Sequence, residues 1–382
     1  MIESCETLVV GAGPSGLFLA AELYRRGRHC VLVERANAPS SFSKALAIMP
    51  GTMELFERAG IAQAFAAAAN RIDGVRFVTP RGSAFVPFAG IRSTYNYVSI
   101  LPQWKTQQLL AARLTELGGA VRYGWTLTAL RGRGNGVDAT LESPQGTRTI
   151  RARYLAGCDG IHSTVRQQAG IAFDGGSYPG TALLADSVVR TRVPANEARV
   201  HVSGGAVVTM FPISDSLRRI VVIAPREQLP ERAEREWLEE RLRLAGYPDA
   251  CVEQTVWSNG FQVHRRIAAA MRCGAVFLAG DSVHTHSPVG GQGMNVGLRD
   301  AFDLASKLAP VLAGEAPVSL LDEYERKRLP VARAVLARTH LLTRALAHPN
   351  PMMRAVRERL APAIAGLPMV YGPVIRRLSL TA

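Results

Sequence analysis

The fold is decided by the stretch Thr7-Leu8-Val9-Val10-Gly11-Ala12-Gly13-Pro14-Ser15-Gly16-Leu17. The apolar run over residues 7–10 predicts a buried strand, and the three glycines that follow it have G-x-G-x-x-G spacing. Apolar residues then recur at helical spacing, and a second apolar run, Cys30–Val33, ends on Glu34. These patterns predict a βαβ unit.

The glycines and the acid of this unit fit a dinucleotide. Gly11 permits a tight turn, Gly13 lets the main chain approach a pyrophosphate, and Gly16 lets helix and strand pack closely. The helix N-terminus offers N–H groups to the phosphates, and Glu34 can accept hydrogen bonds from ribose hydroxyls. An ordinary strand–helix turn would explain the glycines but not Glu34, so the unit predicts nucleotide binding.

The composition is that of a globular protein. The chain has 382 residues, of which 47% are hydrophobic and 20% charged, enough for one large domain or two. No run approaches the roughly 18 apolar residues of a membrane span, and residues 1–10 lack the pattern of a signal peptide. The five cysteines are scattered, which predicts reduced thiols and a cytoplasmic protein.

The net charge of +14 comes almost entirely from dispersed arginines, since lysine occurs only at positions 44, 105, 307 and 327. No basic cluster is interleaved with aromatic residues, so we expect no nucleic-acid partner. The positive field would instead attract anionic NADPH and acidic substrates.

A second strand–turn–helix pattern runs from Leu155 to Arg166. Asp159 stands at the carboxyl end of the strand, where ligands of open α/β sheets bind, and Ser163 or Thr164 can cap the helix. Two interpretations remain open here: nucleotide contacts by Asp159 and Arg166, or a structural pair between them.

A third pattern runs from Val276 to Asp300. A strand ends on Asp281, a glycine-rich loop follows, and a long helix begins near Gly293. Asp281 can accept hydrogen bonds from sugar-like hydroxyls, and the N–H groups of the loop can stabilise an anion. His284 and His286 lack a third ligand at metal-binding spacing, so we interpret them as loop residues and predict no metal site.

The order of patterns predicts an α/β fold, a Rossmann-like nucleotide domain with an inserted, mainly antiparallel β-sheet domain. The nucleotide domain is predicted to be discontinuous. Its ranges are 1–72, 98–173 and 265–348, those of the inserted domain are 73–97 and 174–264, and residues 349–382 form a C-terminal helical segment.

The three motifs, in this order and at these separations, resemble the class A FAD-dependent aromatic monooxygenases of the para-hydroxybenzoate hydroxylase type. The resemblance implies a GR2-type domain with non-covalently bound FAD, and NADPH or NADH as a transient reductant. A flavin C4a-hydroperoxide would deliver one atom of O₂ to a phenolic or polyketide-like substrate. Two alternatives stay open: a hydroxylase of membrane-borne quinone precursors, and an FAD oxidoreductase without oxygen insertion.

The resemblance also implies which residues contact the cofactor. Lys44 stands where the family usually has arginine, and it keeps the charge without the bidentate fork. Pro288 would lie over the isoalloxazine, and residues 293–295 would lie at its N1/C2 edge. The implied FAD contacts are Gly11, Gly13, Ser15, Gly16, Glu34, Arg35, Lys44, Gln103, Asp159, Asp281, Pro288, Gly293, Met294 and Asn295.

Because the flavin carries the chemistry, the resemblance implies no dedicated catalytic set. The candidate bases for a phenol are His201, Tyr97 and His264. The candidate walls of the substrate pocket are Tyr95, Tyr97, Met210, Phe211 and Phe261, each of which core packing would also explain. We expect an aromatic small molecule and O₂ as partners, no membrane contact, and a monomer or homodimer.

Overall fold

The computed structural model describes residues 2–40, 43–203, 206–225, 229–288, 290–346, 359 and 366–381. The five cysteines lie within these ranges and are free thiols. Within the same ranges, no helix combines the length and the apolar character needed to cross a membrane.

Helices and strands alternate in the first third of the chain, and strands dominate its middle. The helices are α1 (Pro14–Arg25), α2 (Pro50–Arg58), α3 (Ala62–Ala68), α4 (Gln103–Glu116), α5 (Thr164–Gln168), α6 (Arg235–Leu244), α7 (Gly293–Ala313), α8 (Asp322–Leu346) and α9 (Pro368–Leu378). The strands are β1 (Ile2–Val10), β2 (Cys30–Glu34), β3 (Ala47–Ile48), β4 (Asn70–Ile72), β5 (Gly74–Thr79), β6 (Gly82–Pro87), β7 (Val98–Ile100), β8 (Val121–Tyr123), β9 (Thr126–Arg133), β10 (Gly136–Ser143), β11 (Gly146–Gly157), β12 (Phe173–Arg190), β13 (Glu197–Ser203), β14 (Ala206–Pro212), β15 (Leu217–Pro225), β16 (Cys251–Ala268), β17 (Arg272–Cys273), β18 (Val276–Leu278) and β19 (His284–Thr285).

The first sheet has the order β17-β18-β11-β1-β2-β8, with β10 and β9 added beside β11. The strands from β18 to β8 run parallel, and β9, β10 and β11 form an antiparallel meander. Val10, Gly157 and Leu278 lie side by side at the ends of β1, β11 and β18. The three turns predicted to bind a nucleotide therefore leave the sheet at one edge, as ligand sites of parallel sheets do.

The second sheet has the order β19-β16-β12-β15-β14-β13-β5-β6 and is antiparallel except for the β13–β5 pair. Both halves of the predicted α/β architecture are therefore present. The short strand β19 belongs to the chain that follows Asp281, yet it pairs with β16 through Arg266 and Ile267. This pairing ties the second sheet to the third glycine-rich turn.

The two faces of the second sheet have different environments. One face packs on α6 and buries a cluster that includes Leu183, Met210, Ile220, Leu238 and Leu242. The other face carries a smaller cluster that includes Ala182, Leu184, Val263 and, half-buried, Trp257 and Phe261. A small three-stranded sheet, in the order β3-β7-β4, lies in the stretches of chain that pass between the two large sheets.

The C-terminal segment packs beside the site. Within the predicted helical segment 349–382 the structure describes residues 359 and 366–381, which include helix α9, whereas residues 349–358, 360–365 and 382 lie outside the described residues. The N–H of Gly51 donates to the main-chain oxygen of Ser379 at 2.9 Å, and Leu380 has a φ of 56°.

The turn between β1 and α1 packs at main-chain distance against its neighbours. A Cβ placed on Gly16 would lie 1.9 Å from the oxygen of Gly11. Gly11 itself has a φ of +100°, and a Cβ there would lie 2.5 Å from the oxygen of Cys158. Both glycines are therefore needed for packing, whereas a Cβ on Gly13 would meet no atom within 4 Å.

This difference gives a paired prediction. We expect Gly16→Ala to lower the free energy of unfolding of the FAD-free protein by about 3 kcal/mol, because the added carbon collides with main chain. Gly13→Ala, at an ordinary φ of −68°, should leave it within about 0.5 kcal/mol of the parent. Urea unfolding followed by circular dichroism measures both values. Equal stabilities of the two variants would contradict the packing described for Gly16.

Candidate active site

The N-terminus of α1 forms an open cradle. Gly13 is its N-cap residue, and the helix has no side-chain cap. The space beside Gly13 is open, so a ligand can approach the main chain there without displacing a protein atom. Uncapped N–H groups and the positive end of the helix dipole suit a pyrophosphate. Ser15 lies deeper, because its hydroxyl packs against Gly280 and Gly297.

Glu34 is held at the edge of this cradle. Its two carboxylate oxygens accept hydrogen bonds from the N–H groups of Ala12 at 2.7 Å and of Ala36 at 3.0 Å. A carboxylate oxygen has a second lone pair, so Glu34 can still accept from ribose hydroxyls. The following residue, Arg35, is exposed.

Asp159, in the second turn, lies beside the N-terminus of α5, whose N-cap residue is Ser163. Its carboxylate accepts from the hydroxyl of Ser163 at 2.5 Å and from the N–H of Val165 at 3.1 Å. Burial raises the pKa of Asp159, and these hydrogen bonds oppose the shift. Arg166 instead turns its guanidinium to the main-chain oxygens of Ile161 and Ser282, at 2.9 Å each. The pair of Asp159 with Arg166 considered from the sequence is therefore replaced by a link from α5 to the third turn.

Asp281 lies in the third turn, a short 3₁₀ segment from Gly280 to Ser282. Its side chain is open to solvent, yet the surrounding protein desolvates it and raises the pKa of its carboxyl, and the nearby His284 and Lys44 oppose this rise. We call the space around this carboxylate, next to Lys44 and His284, the Asp281 recess. Its accessible carboxylate fits a polyol chain, because hydroxyl groups can donate hydrogen bonds to it.

The loop after Asp281 leads into α7 and is fixed by its asparagine. Asn295 is fully buried, and its side chain accepts from the N–H of Met49 and donates to the oxygens of Ala47 and Gly291, all at 2.8–2.9 Å. The predicted loop residues have different exposures: Pro288 is exposed, and Gly293 and Met294 are half-buried. Gly290 and Gly291 adopt φ angles of 87° and 61°. Helix α7 begins without a side-chain cap, so a second uncapped helix N-terminus faces this region.

Lys44 and Gln103 belong to the connection that crosses between the sheets. Gln103 accepts from the N–H of Ala45 at 3.0 Å, which holds the connection in place. The ammonium of Lys44 is exposed and lies 6.0 Å from the ring centroid of Phe261. The charge of Lys44 also opposes the rise in the pKa of Asp281. Lys44 therefore interacts with both Phe261 and the Asp281 carboxyl.

Sequence reasoning missed Arg219, a buried arginine in the second sheet that is 1% exposed. It donates to both carboxylate oxygens of Asp186, at 2.6 and 2.7 Å, and to the main-chain oxygens of Lys44 and Ala45, at 3.3 and 3.4 Å. The ion pair thus anchors the Lys44 connection on the second sheet. The one signal in the sequence was a charged pair, Arg218-Arg219, beside the apolar run Ile220–Ala224.

The candidate pocket residues separate into two groups. Phe261 lies on the sheet face near Lys44. Phe211 packs in a cluster with Leu46 and Met49. Tyr95 and Tyr97 contact each other with centroids 6.1 Å apart.

Met210, by contrast, is buried in the cluster under α6. His201 pairs with Val208 of that same cluster and shares its face. Met210 and His201 therefore lie on the face that α6 covers, opposite the face of Phe261, and we assign neither a role toward substrate.

The remaining candidate bases, His264 and Tyr97, have different surroundings. His264 forms a 2.8 Å hydrogen bond through Nδ1 with the hydroxyl of Ser177. Burial lowers the pKa of His264, and the nearby Arg266, His162 and Lys44 add to the shift. Tyr97 stacks under the guanidinium of Arg71, 4.4 Å from its ring centroid.

His284 and His286 lie in the wall of the recess. His284 bonds Asp300 through Nε2 at 2.8 Å, and His286 contacts the oxygen of Ser287 through Nδ1 at 3.0 Å. Burial lowers the pKa of His286 to about 4, so the ring is neutral at pH 7. Across the described ranges, no group of three or more His, Cys, Asp or Glu side chains is arranged to hold a metal ion.

These features together fit a flavin adenine dinucleotide. The cradle at Gly13 suits the pyrophosphate, Glu34 suits the adenosine ribose, and Asp281 suits the ribityl chain. Comparison with known proteins agrees, because the model of a family described as FAD binding domain matches residues 4–339.

Similar enzymes act on aromatic compounds. The chain is 35% identical over 368 residues to the 12-dehydrotetracycline 5-monooxygenase/anhydrotetracycline 6-monooxygenase of Streptomyces rimosus, covering 92% of this chain and 72% of that relative. It is 35% identical over 348 residues to the pentachlorophenol 4-monooxygenase of Sphingobium chlorophenolicum, covering 88% of this chain and 64% of that relative.

Solved structures share the fold over nearly the whole chain. The p-nitrophenol 4-monooxygenase of Pseudomonas putida superposes with a TM-score of 0.86 at 25% identity, covering 99% of both chains. A ternary complex of aklavinone-11 hydroxylase with FAD and aklavinone superposes with a TM-score of 0.80 at 29% identity, covering 92% of this chain and 70% of that one.

Fold and site together define a flavoprotein oxidoreductase. The chain belongs to the family of FAD-dependent aromatic monooxygenases. The predictions of the fold class, of FAD as cofactor and of this resemblance are therefore confirmed.

The raised pKa of Asp281 predicts how FAD binding depends on pH. Ribityl hydroxyls donate to the ionised carboxylate, so a protonated Asp281 must first lose its proton when FAD binds. We expect the affinity for FAD to rise with pH through the raised pKa of Asp281 and to level off above it.

Asp281→Asn is the matched control, because an amide of the same shape does not titrate. The FAD dissociation constant is measured by quenching of flavin fluorescence from pH 4 to pH 8. It should fall with rising pH in the parent by more than it does in Asp281→Asn. Parallel pH profiles of the two proteins would contradict the contact.

Proposed function

We propose that the chain hydroxylates a soluble phenolic or polyketide-derived aromatic compound in the cytoplasm, with NADPH or NADH as the reductant and O₂ as the oxygen source. One observation carries the substrate class: an apolar, partly aromatic face of the second sheet lies beside the Asp281 recess, with Lys44 between them. Phe261 and Trp257 on this face offer flat contacts to an aromatic ring.

The names of similar proteins support this class. Several act on tetracycline intermediates, one on pentachlorophenol and others on rifampicin. The broad apolar face of the second sheet can accommodate substrates of these kinds, which are polycyclic or phenolic. A positive net charge and Lys44 at the recess would also favour a phenolate over a neutral ring.

The protein's own residues have positioning and electrostatic roles in this proposal. Bound FAD supplies the acceptance of a hydride and the activation of oxygen. The N-terminus of α1 holds the pyrophosphate at Gly13, Glu34 the ribose and Asp281 the ribityl hydroxyls. The uncapped N-terminus of α7 would stabilise negative charge that develops on the bound cofactor.

In this proposal the second sheet excludes water from the reacting atoms and provides the group that accepts a proton. Its apolar face next to Phe261 keeps the reacting atoms dry, which protects an activated oxygen from side reactions. His264 is neutral at pH 7 because its pKa is lowered, so its ring can accept the proton of a phenol.

The test is turnover under ¹⁸O₂ with a panel of phenols and aromatic polyketides that stimulate NAD(P)H oxidation. We expect a stimulating compound to gain 16 mass units under ordinary oxygen and 18 under the labelled gas, since one oxygen atom is inserted. Anaerobic product formation would support instead an oxidoreductase without oxygen insertion.

A second arm addresses the membrane alternative. Flotation with anionic liposomes at physiological salt should leave the protein at the bottom of the gradient. Firm flotation, together with no stimulation by any soluble phenol, would contradict the proposed substrate class.

A further inference from the structure

Three charged or polar side chains form a buried chain of hydrogen bonds behind the Asp281 turn. They are His284 on β19, Asp300 on α7 and Arg328 on α8, and they are 1%, 0% and 5% exposed. The proposed reaction uses none of them. Burying charge away from water is costly unless each group is paired, so the cluster requires an explanation.

Asp300 is the centre of this chain. One of its oxygens accepts from Nε of Arg328 at 2.7 Å, and the other accepts from Nε2 of His284 at 2.8 Å. The second oxygen also accepts from the N–H of Gly280 at 3.4 Å, the residue directly before Asp281. Asp300 therefore holds the turn from both sides of Asp281, at Gly280 and at His284.

The charge state of the chain follows from these contacts. Burial alone would raise the pKa of Asp300, but the charge of Arg328 and the hydrogen bond from His284 lower it below the ordinary value. Asp300 is thus a carboxylate, and Nε2 of His284 carries the proton that it accepts. Hydrogen bonds to an ionised acceptor are stronger and more directional than neutral ones.

The strand before the turn is fixed by the same helix. Tyr324 lies one helical turn before Arg328 on α8, and its hydroxyl donates to the oxygen of Leu278 at 2.7 Å. Gly280 itself has a φ of +69°, and a Cβ on it would lie 2.5 Å from the hydroxyl of Ser15. The turn is therefore confined in front by Ser15 and behind by Asp300.

We propose that Asp300 is a positioning residue for FAD, acting through Asp281. Through Gly280 and His284 it sets the direction in which the Asp281 carboxylate enters the recess, and Arg328 keeps Asp300 ionised for this task. The inference rests on the proposed role of Asp281 in binding the ribityl chain. In this proposal His284 holds the Asp281 turn through its hydrogen bond to Asp300, and it does not contact a ligand.

The chain offers a matched control on the same two helices. Asp303 of α7 is 7% exposed and pairs with Lys307 at 2.7 Å and with Lys327 of α8 at 2.9 Å. Asp303 lies on the same helix as Asp300, and its ion pairs are with Lys307 and Lys327 and not with the Asp281 turn. Asp303→Asn therefore reports the effect of weakening the α7–α8 contact alone.

The experiment is a double-mutant cycle on FAD binding. The FAD dissociation constant and the urea stability of the FAD-free protein are measured for the parent, Asp300→Asn, Asp281→Ala, the double variant and Asp303→Asn. We expect each of Asp300→Asn and Asp281→Ala to raise the dissociation constant about tenfold or more, as for a lost hydrogen bond to a charged group. The double variant should stay within about twofold of Asp281→Ala, because the two residues act as one unit.

The outcomes distinguish a failure of the proposed role of Asp281 from a failure of the positioning role of Asp300. If Asp281→Ala leaves the affinity for FAD unchanged, the proposed role of Asp281 fails and the positioning role falls with it. If Asp281→Ala weakens binding but the increase in the dissociation constant of the double variant is the product of the two single increases, Asp300 is only structural. The inference alone is then overturned. A loss of affinity in Asp303→Asn equal to that in Asp300→Asn would overturn it as well.

A second pair of variants covers the case in which Asp300→Asn does not fold. His284→Gln keeps an N–H donor for Asp300, whereas His284→Leu removes it at similar volume. We expect His284→Leu to weaken FAD binding and His284→Gln to restore most of it, at equal stability of the FAD-free proteins. Equal FAD affinities of the two variants would contradict the proposal.

Discussion

The contact of Ser15 with two glycines is the constraint on which the site depends. A Cβ on Gly280 or on Gly297 would lie 2.5 Å from the Ser15 hydroxyl, and a Cβ on Gly297 would also lie 3.0 Å from the Cα of Gly280, so a larger residue at either position would displace Ser15. Helix α1, the Asp281 turn and helix α7 therefore approach each other at main-chain distance. As a consequence, the cradle at Gly13 and the carboxylate of Asp281 open on one edge of the first sheet, where ligands of open α/β sheets bind.

The second sheet is joined to this edge by two links of different kinds. Strand β19 pairs with β16, which carries the chain directly from the Asp281 turn into the sheet. Arg219, held by Asp186, binds the main chain at Lys44 and Ala45 from the other side. A buried ion pair adds little net stability but fixes geometry when both partners are satisfied. These links set the aromatic face against the recess where FAD fits.

The local motifs could be predicted from the sequence because each strand, turn and helix of the first sheet lies within one short window. The glycine spacing and the acids at strand ends placed Glu34, Asp159 and Asp281 at one edge without knowledge of distant contacts. Arg219 and Asp300 could not be found in this way, since their partners Asp186 and Arg328 lie 33 and 28 residues away. Strand alternation likewise separates Met210 from Phe211, but it does not say which face α6 covers. The roles of individual residues toward FAD and the domain boundaries stay predictions.

The most direct measurement of the central claim is a crystal structure of this chain with FAD bound. We expect the pyrophosphate at the main chain of Gly13, the ribityl chain within hydrogen-bond distance of Asp281, and the isoalloxazine between the N-terminus of α7 and the sheet face at Phe261. FAD bound away from Asp281, or an isoalloxazine that does not reach the second sheet, would contradict the account.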